Sequence, residues 1–464
     1  MKDLDKHAYD VVCNWYKAIN FNPVHKGIDY SLIIRFYLWD KVGRALRIQH
    51  GIDYGEVEVY KKELNENNTY HYAPLHSKGN YKKPWFKLKK SIFIPYHVPH
   101  TTKLVNHILS QHKYTVLSKE ITPLLDKKHV IARVAYHEDT KWGKEISDAV
   151  LEGLISMNVA LLPEDKKLLK KQVLGCVAIS CLAEEELKHY TPKALYVHSD
   201  NHPPYINYVL AAKALGIPTF TYQHGLDCEH YYYDDCFADY VAVWSAKRKE
   251  AYVKTSQFSP KKIHPIGNVF LDKIKRNNTD VNQDTLLFVT RPHSSQKCYA
   301  PSRHYKEGAM ILKTILTFLE EHPNLQLIIK PHPRDYVQGY KNVIAMSNVS
   351  SRVTLLNDSL DKIIEQVSVV ITEDTTAGIE AIRSFKPCVH AHFSKSNPVL
   401  PLVTYHAALP GFAPSELYKS LERSLVLSEE DFEVMMKGQI KFMESFMPFG
   451  SIENLYSFIT NNIK

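Results

Sequence analysis

The chain has only seven cysteines in 464 residues, an odd number, and no two are spaced C-x-x-C. This argues against a zinc ribbon and a disulfide framework and fits a reducing compartment. The opening residues, MKDLDKHAYD, contain no apolar run, so no secretory signal is expected. The longest apolar stretch, near Val173 to Ala183, is too short and too mixed to span a bilayer. Two phosphate-binding signatures are missing as well. Neither G-x-G-x-x-G nor G-x-x-x-x-G-K-[ST] occurs, which lowers dehydrogenase and P-loop readings. The expectation is a cytoplasmic protein, docked if at all at the inner face of a membrane.

What is present is an ordinary globular composition, 44% hydrophobic and 23% charged, so a sizeable core is expected. The length suits two or three domains. The net charge of +8 suits anionic partners such as nucleotides, acidic glycans or a membrane surface, and is too diffuse to indicate nucleic acid.

Residues 1 to about 115 read as aromatic-rich and irregular, and 65–90 as a long basic loop or small hairpin. Residues 145–190 carry helical periodicity, with Ile146, Val150, Leu154 and Met157 on one face. From about 193 the pattern alternates. Strands are expected at 195–197, 219–222, 240–244 and 263–266, with helices at 206–215 and 246–255. The polar run 274–284 reads as a linker. Alternation restarts with strands at 286–289, 325–329, 353–355, 369–371 and 388–390, and helices at 308–319, 360–367 and 376–385. The stretch 414–463 is helical again. The expected fold is α/β, with two Rossmann-like domains facing across a cleft. The expected division is 1–275, 276–440 and a C-terminal helix in 441–464 that returns to the first domain.

Ligands of parallel sheets bind at the carboxyl ends of the strands, and the residues expected there are polar. Lys330-Pro331-His332-Pro333-Arg334 follows one strand and Glu373-Asp374-Thr375-Thr376-Ala377-Gly378 follows another and opens a helix. Cationic side chains, hydroxyls and the N–H groups of a helix N-terminus form a cradle for phosphate. Thr290, Arg291 and Ser294 lie at a third strand end, and His198 to His202 and Gln223-His224-Gly225 at two more.

Gln223-His224-Gly225, Asp239-Tyr240, Val243-Trp244-Ser245, Ile266-Gly267-Asn268 and Asp272 follow in an order that resembles GT-B glycosyltransferases of bacterial surface-polysaccharide synthesis. Lys330-Pro331-His332-Pro333 resembles the His-Pro motif of the CMP-sugar users in that group, the sialyl- and Kdo-type transferases. Thr375-Thr376 stands where those carry Ser-Ser. The CDP-glycerol glycerophosphotransferases share a similar arrangement. The resemblance covers about residues 193–390. It implies a GT-B fold and a nucleotide-sugar donor, with a CMP-linked ulosonic acid favoured, and a capsule or lipopolysaccharide glycan or glycolipid as acceptor. It implies donor contacts at Arg291, Ser294, Lys330, His332, Pro333, Thr375, Thr376 and Glu380, the last to a ribose. Gln223 and Gly225 would lie on the acceptor side. No resident cofactor and no metal are expected, because fixed donors neutralise the leaving nucleotide.

The attacking hydroxyl needs a base. Asp200 is taken as the base and His224 as an electrostatic group, with the reverse open. Plainer readings stay open too: Gly225 closing a turn, Asp200 or Thr375 capping a helix, Lys330 to Pro333 as a stiff turn. His390-Ala391-His392 has the spacing of a metal pair but no third ligand, and reads as a strand end. A CDP-polyol transferase, a nucleotide-sugar 2-epimerase and a non-catalytic glycan binder are the alternative functions.

Overall fold

A computed structural model describes residues 4–51, 90–96, 101–119, 134, 136–223, 236–255, 260–269, 284–291, 305–332, 335, 337–394 and 397–463. The chain opens with α1 (Leu4–Asn14), a two-strand hairpin of β1 (Val24–His25) and β2 (Ile28–Asp29), and α2 (Tyr30–Gln49). Then come β3 (Ser91–Phe93), α3 (Thr102–Ser110), β4 (Thr115–Leu117), α4 (Thr140–Ser156) and α5 (Pro163–Tyr190). Regular alternation follows: β5 (Ala194–Val197), α6 (Tyr205–Ala214), β6 (Thr219–Tyr222), β7 (Tyr240–Val243), α7 (Ala246–Thr255) and β8 (Ile263–Pro265). These strands form a six-stranded parallel sheet in the order β4-β3-β5-β6-β7-β8.

The second sheet begins at β9 (Thr285–Val289) and continues through α8 (Tyr305–Glu321), β10 (Gln326–Lys330), α9 (Val337–Ala345), β11 (Val353–Leu355), α10 (Leu360–Ile364) and β12 (Val369–Thr372). It is completed by α11 (Thr376–Arg383), β13 (Cys388–Ala391), β14 (Leu409–Gly411) and α12 (Pro414–Leu425). It is also parallel and six-stranded, in the order β11-β10-β9-β12-β13-β14. Strands β5, β6, β9, β12 and β13 are buried at every position, as expected of strands covered by helices on both faces. The chain is therefore α/β with two Rossmann-like domains.

The last helices are α13 (Glu429–Phe446) and α14 (Ile452–Asn461). α14 packs on α3 of the first domain, where the His107 ring lies 5.0 Å from that of Tyr456. One apolar cluster joins the domains. It contains Tyr196, Phe220 and Tyr222 from the first sheet, Trp244 just past β7, Ile379 and Ile382 from α11, Leu400, Leu402, and Phe442 from α13. The polar run 274–284 lies, apart from Asp284, outside the described residues.

The expectation that residues 1–115 are irregular is corrected by α1, α2, β3 and α3. α2 hides from a periodicity argument because so much of its circumference is buried: Tyr30, Ile33, Ile34, Leu38, Trp39, Val42, Ala45 and Leu46. Its start is nonetheless local chemistry, with the Asp29 carboxylate accepting from the Ser31 N–H. Together with α1, α4 and α5 it forms a helical layer around Trp15, Trp39 and Trp142. The segment 65–89 lies outside the described residues.

Candidate active site

Each sheet has one point where successive connections leave in opposite directions. In the second sheet it lies between β9 and β12. The residues that follow those strands come together there. The Arg291 N–H donates to the Glu373 carboxylate at 3.0 Å, and Arg291 Nη1 lies 3.4 Å from Asp374 Oδ2. Thr290 bonds Asp335 through its hydroxyl and accepts the His332 N–H at 3.0 Å. The Tyr340 hydroxyl donates to Asp335 at 2.7 Å. His332 is thus held at the switch point by main-chain anchoring, with Lys330 at the end of β10.

α11 begins beside them. Thr375 is its N-cap, extended at φ −139° and ψ 150°, and its hydroxyl makes no capping bond. Thr375 is therefore the N-cap, as the plainer reading had it, through backbone conformation and not a side-chain bond. The first N–H groups of α11 and the partly exposed Thr376 remain at the strand end, where the helix dipole favours an anion. Gly378 lets α11 approach β12, because a Cβ there would collide with the Thr372 hydroxyl. Glu380 stands one turn further and is half-buried.

Behind the cradle lies a charge cluster that sequence reasoning missed. Asp374, 1% exposed, has His390 Nε2 at 3.2 Å and His392 Nδ1 at 3.1 Å. It also accepts the N–H groups of Val399 at 3.1 Å and Leu400 at 2.9 Å. Burial pushes its carboxyl up, but the two imidazoles and the Arg291 guanidinium beside it prevail and hold it well below the usual carboxylate range. His390 and His392 end a strand, as expected. Among the described residues no group of three His, Cys, Asp or Glu side chains is arranged to hold a metal.

In the first sheet the strand ends are polar as expected, and their side chains are engaged. Asp200, 6% exposed, accepts the N–H groups of Phe237 at 2.6 Å and Ala238 at 2.8 Å on one oxygen. Burial raises its pKa, opposed by those two bonds and by the charge of Lys262. It does not cap α6, whose N-cap is Pro204. Gln223 is buried and ties β6 to β7. Its side-chain oxygen accepts the Trp244 N–H at 3.2 Å, and its carbonyl accepts the Trp244 indole N–H at 3.0 Å. His224, Gly225, Ser294 and Pro333 lie outside the described residues.

Residues 218–392 match the family described as capsule polysaccharide biosynthesis protein. The match runs from the start of β6 to His392 and so includes both β9 and β12 ends. No curated protein sequence matches the chain. Among solved structures, the chain is similar to Staphylococcus aureus MnaA in complex with UDP, at 13% identity and a TM-score of 0.50, over 80% of this chain and 95% of that one. It is similar to a Rickettsia africae glycosyltransferase at 12% identity and a TM-score of 0.48, over 81% and 100% of the two chains. It is also similar to the Neisseria meningitidis UDP-GlcNAc 2-epimerase bound to UDP-GlcNAc, at 12% identity and a TM-score of 0.47, over 76% and 98%. The two-domain fold is that of the GT-B enzymes.

Proposed function

We propose that the protein is a GT-B glycosyltransferase of surface-polysaccharide synthesis. It takes a sugar from a nucleotide-activated donor seated at the β9/β12 switch point and passes it to a capsule or lipopolysaccharide glycan. The observation that carries the reading is the start of α11: a helix N-terminus whose capping threonine spends no hydroxyl on the cap, beside Arg291, Lys330 and His332. The bond that breaks leaves negative charge on the nucleotide. Fixed N–H groups and cations stabilise that charge most where it grows.

The donor favoured is a CMP-linked ulosonic acid, on the Lys330 to Pro333 and Thr375-Thr376 motifs. A nucleotide-sugar 2-epimerase is the second reading, since it would use the same two-domain fold, which holds UDP in MnaA. For the acceptor proton, Asp200 and His224 are the two candidates. The Asp200 carboxylate is occupied by the Phe237 and Ala238 amides, so we assign it to fixing that segment and His224 to the base.

The test is a thermal-shift screen with CMP, CDP, UDP, CMP-sialic acid and CDP-glycerol, followed by product analysis with and without added glycan. Stabilisation by CMP and acceptor-dependent CMP release support the transfer reading. Stabilisation by CDP-glycerol alone supports polyol-phosphate transfer. UDP released from UDP-GlcNAc without acceptor supports the epimerase, and no stabilisation by any nucleotide refutes all three.

A further inference from the structure

His332 sits between two prolines, and proline has no N–H. Its own N–H is therefore the one main-chain donor in Pro331-His332-Pro333. Val289 pairs with Lys330 in the sheet, so Thr290, the next residue, runs alongside this loop. The Thr290 N–H donates to the Lys330 carbonyl at 3.2 Å, and its hydroxyl accepts the His332 N–H at 3.0 Å. The His332 carbonyl accepts the Asp335 N–H at 2.8 Å. A closed ring results, because the Thr290 hydroxyl donates in turn to Asp335 Oδ2. Both main-chain polar groups of His332 are engaged in it.

The ring needs one atom that accepts an N–H and donates to a carboxylate at once, which among short side chains only a hydroxyl does. An ionised carboxylate can only accept, so Asp335 takes the Thr290 hydrogen and leaves a lone pair for the His332 N–H. The Tyr340 hydroxyl donates to the same Asp335 oxygen at 2.7 Å and holds that carboxylate in place. Thr290, Asp335 and Tyr340 are all buried, so these bonds are shielded from water. Loops that bind phosphate often do so with successive main-chain N–H groups. From Pro331 to Pro333 that route is closed: two positions lack the N–H and the third is committed to Thr290. This part of the loop can address an anion only through a side chain, and a side chain is placed as precisely as its main chain is fixed.

We infer that Thr290 is a positioning residue for the donor nucleotide: its hydroxyl, oriented by Asp335 and Tyr340, fixes the main chain from which the His332 imidazole serves the phosphate. The role rests on the donor site proposed above. It divides the cradle into two kinds of donor, main-chain N–H groups at the start of α11 and side chains on the loop after β10.

Titration calorimetry of the full chain with CMP, CDP and UDP tests this. Thr290→Val keeps the shape and removes the hydroxyl, and should weaken the nucleotide that the wild type binds about tenfold. Thr290→Ser restores the hydroxyl and should stay within about twofold of the wild type. In a His332→Ala background the effect of Thr290→Val should shrink to less than about twofold, because the side chain it positions is gone. A hydroxyl that serves stability alone would lower the melting temperature of Thr290→Val and leave its affinity unchanged. That result, or the same loss of affinity in both backgrounds, overturns the role. If Thr290→Val does not fold, Tyr340→Phe keeps the ring and removes a hydroxyl from Asp335. It should weaken binding about threefold in the wild type and not in His332→Ala, and wild-type affinity in Tyr340→Phe then overturns the role. A wild type that binds none of the three nucleotides, or binds them no better than His332→Ala does, removes the donor site from this loop and the role with it.

Discussion

Gly267 and Gly450 meet backbone to backbone where the chain passes between its domains: a Cβ on Gly267 would lie 2.6 Å from both N and Cα of Gly450. Beside them the Asn268 N–H donates to the Pro448 carbonyl at 2.6 Å, and the Gly450 N–H donates to the Asn268 carbonyl at 3.0 Å. The segment leaving the first domain and the segment returning to it are thus stapled side by side. Gly267 also sits at φ +82°, a conformation that costs any residue with a Cβ.

Gly450→Ala should therefore destabilise the protein. Its Cβ would lie 2.5 Å from the Ile266 carbonyl oxygen, and backbone cannot yield as a side-chain tip can. A loss of about 1–3 kcal/mol is expected for such overpacking. Gly267→Ala should cost more, since positive φ adds to the clash. Calorimetry checks both, and an unchanged melting temperature would show that the two crossings are free to separate.

Asp374 should make the second domain acid-sensitive. Its folded pKa lies well below the usual carboxylate value, which is about 3.9 in an unfolded chain. In that window the unfolded state binds more protons than the folded one. The stability that Asp374 contributes is therefore complete above the unfolded pKa and is lost as pH falls from there toward the folded value. Urea titrations from pH 7 to pH 3 should show this decline. Asp374→Asn should be less stable at pH 7 by about 3–5 kcal/mol, the cost of breaking a buried ion pair, and its stability should change less below pH 5.

The contrast between Asp374 and its neighbours explains what the sequence could reveal. Strands 219–222 and 240–243 were legible because four apolar or β-forming residues run between turn signals. Lys330, His332, Arg291 and Thr376 were legible as polar residues at strand ends. Asp374 was read only as one member of the polar run that opens α11, because its partners, His390, His392, Val399 and Leu400, are brought to it only by tertiary packing. β3 and β4, three residues each, stand in the part of the chain read as irregular, where no strand–helix alternation frames them as it frames the equally short β11. Their neighbour α2 is buried on too many sides for periodicity to reveal it. Asp200 and Gln223 were found by position, but position alone could not tell that main-chain amides occupy their side-chain oxygens.

If the nucleotide sits at α11, Lys330→Ala and His332→Ala should each weaken CMP binding about tenfold to a hundredfold, as expected for a hydrogen bond to a charged group. Thr376→Val, which keeps the shape and removes the hydroxyl, should cost less, about fivefold. Titration calorimetry with CMP and with UDP measures all three. Wild-type affinity in the Lys330 and His332 variants would place the nucleotide elsewhere.

Asp200 separates anchoring from base catalysis, because asparagine keeps an oxygen for the Phe237 and Ala238 N–H groups but cannot take a proton. An anchor predicts that Asp200→Asn retains turnover within about tenfold, whereas Asp200→Ala loses about 1–3 kcal/mol of stability as the two amides lose their acceptor. A base predicts a fall of about a hundredfold or more in Asp200→Asn with little change in donor binding. His224→Gln provides the complementary measurement. With His224 as base, turnover in the wild type should fall on the acid side as the base becomes protonated, and His224→Gln should remove that activity. Full turnover in His224→Gln, together with its collapse in Asp200→Asn, would return the proton to the carboxylate despite its main-chain bonds.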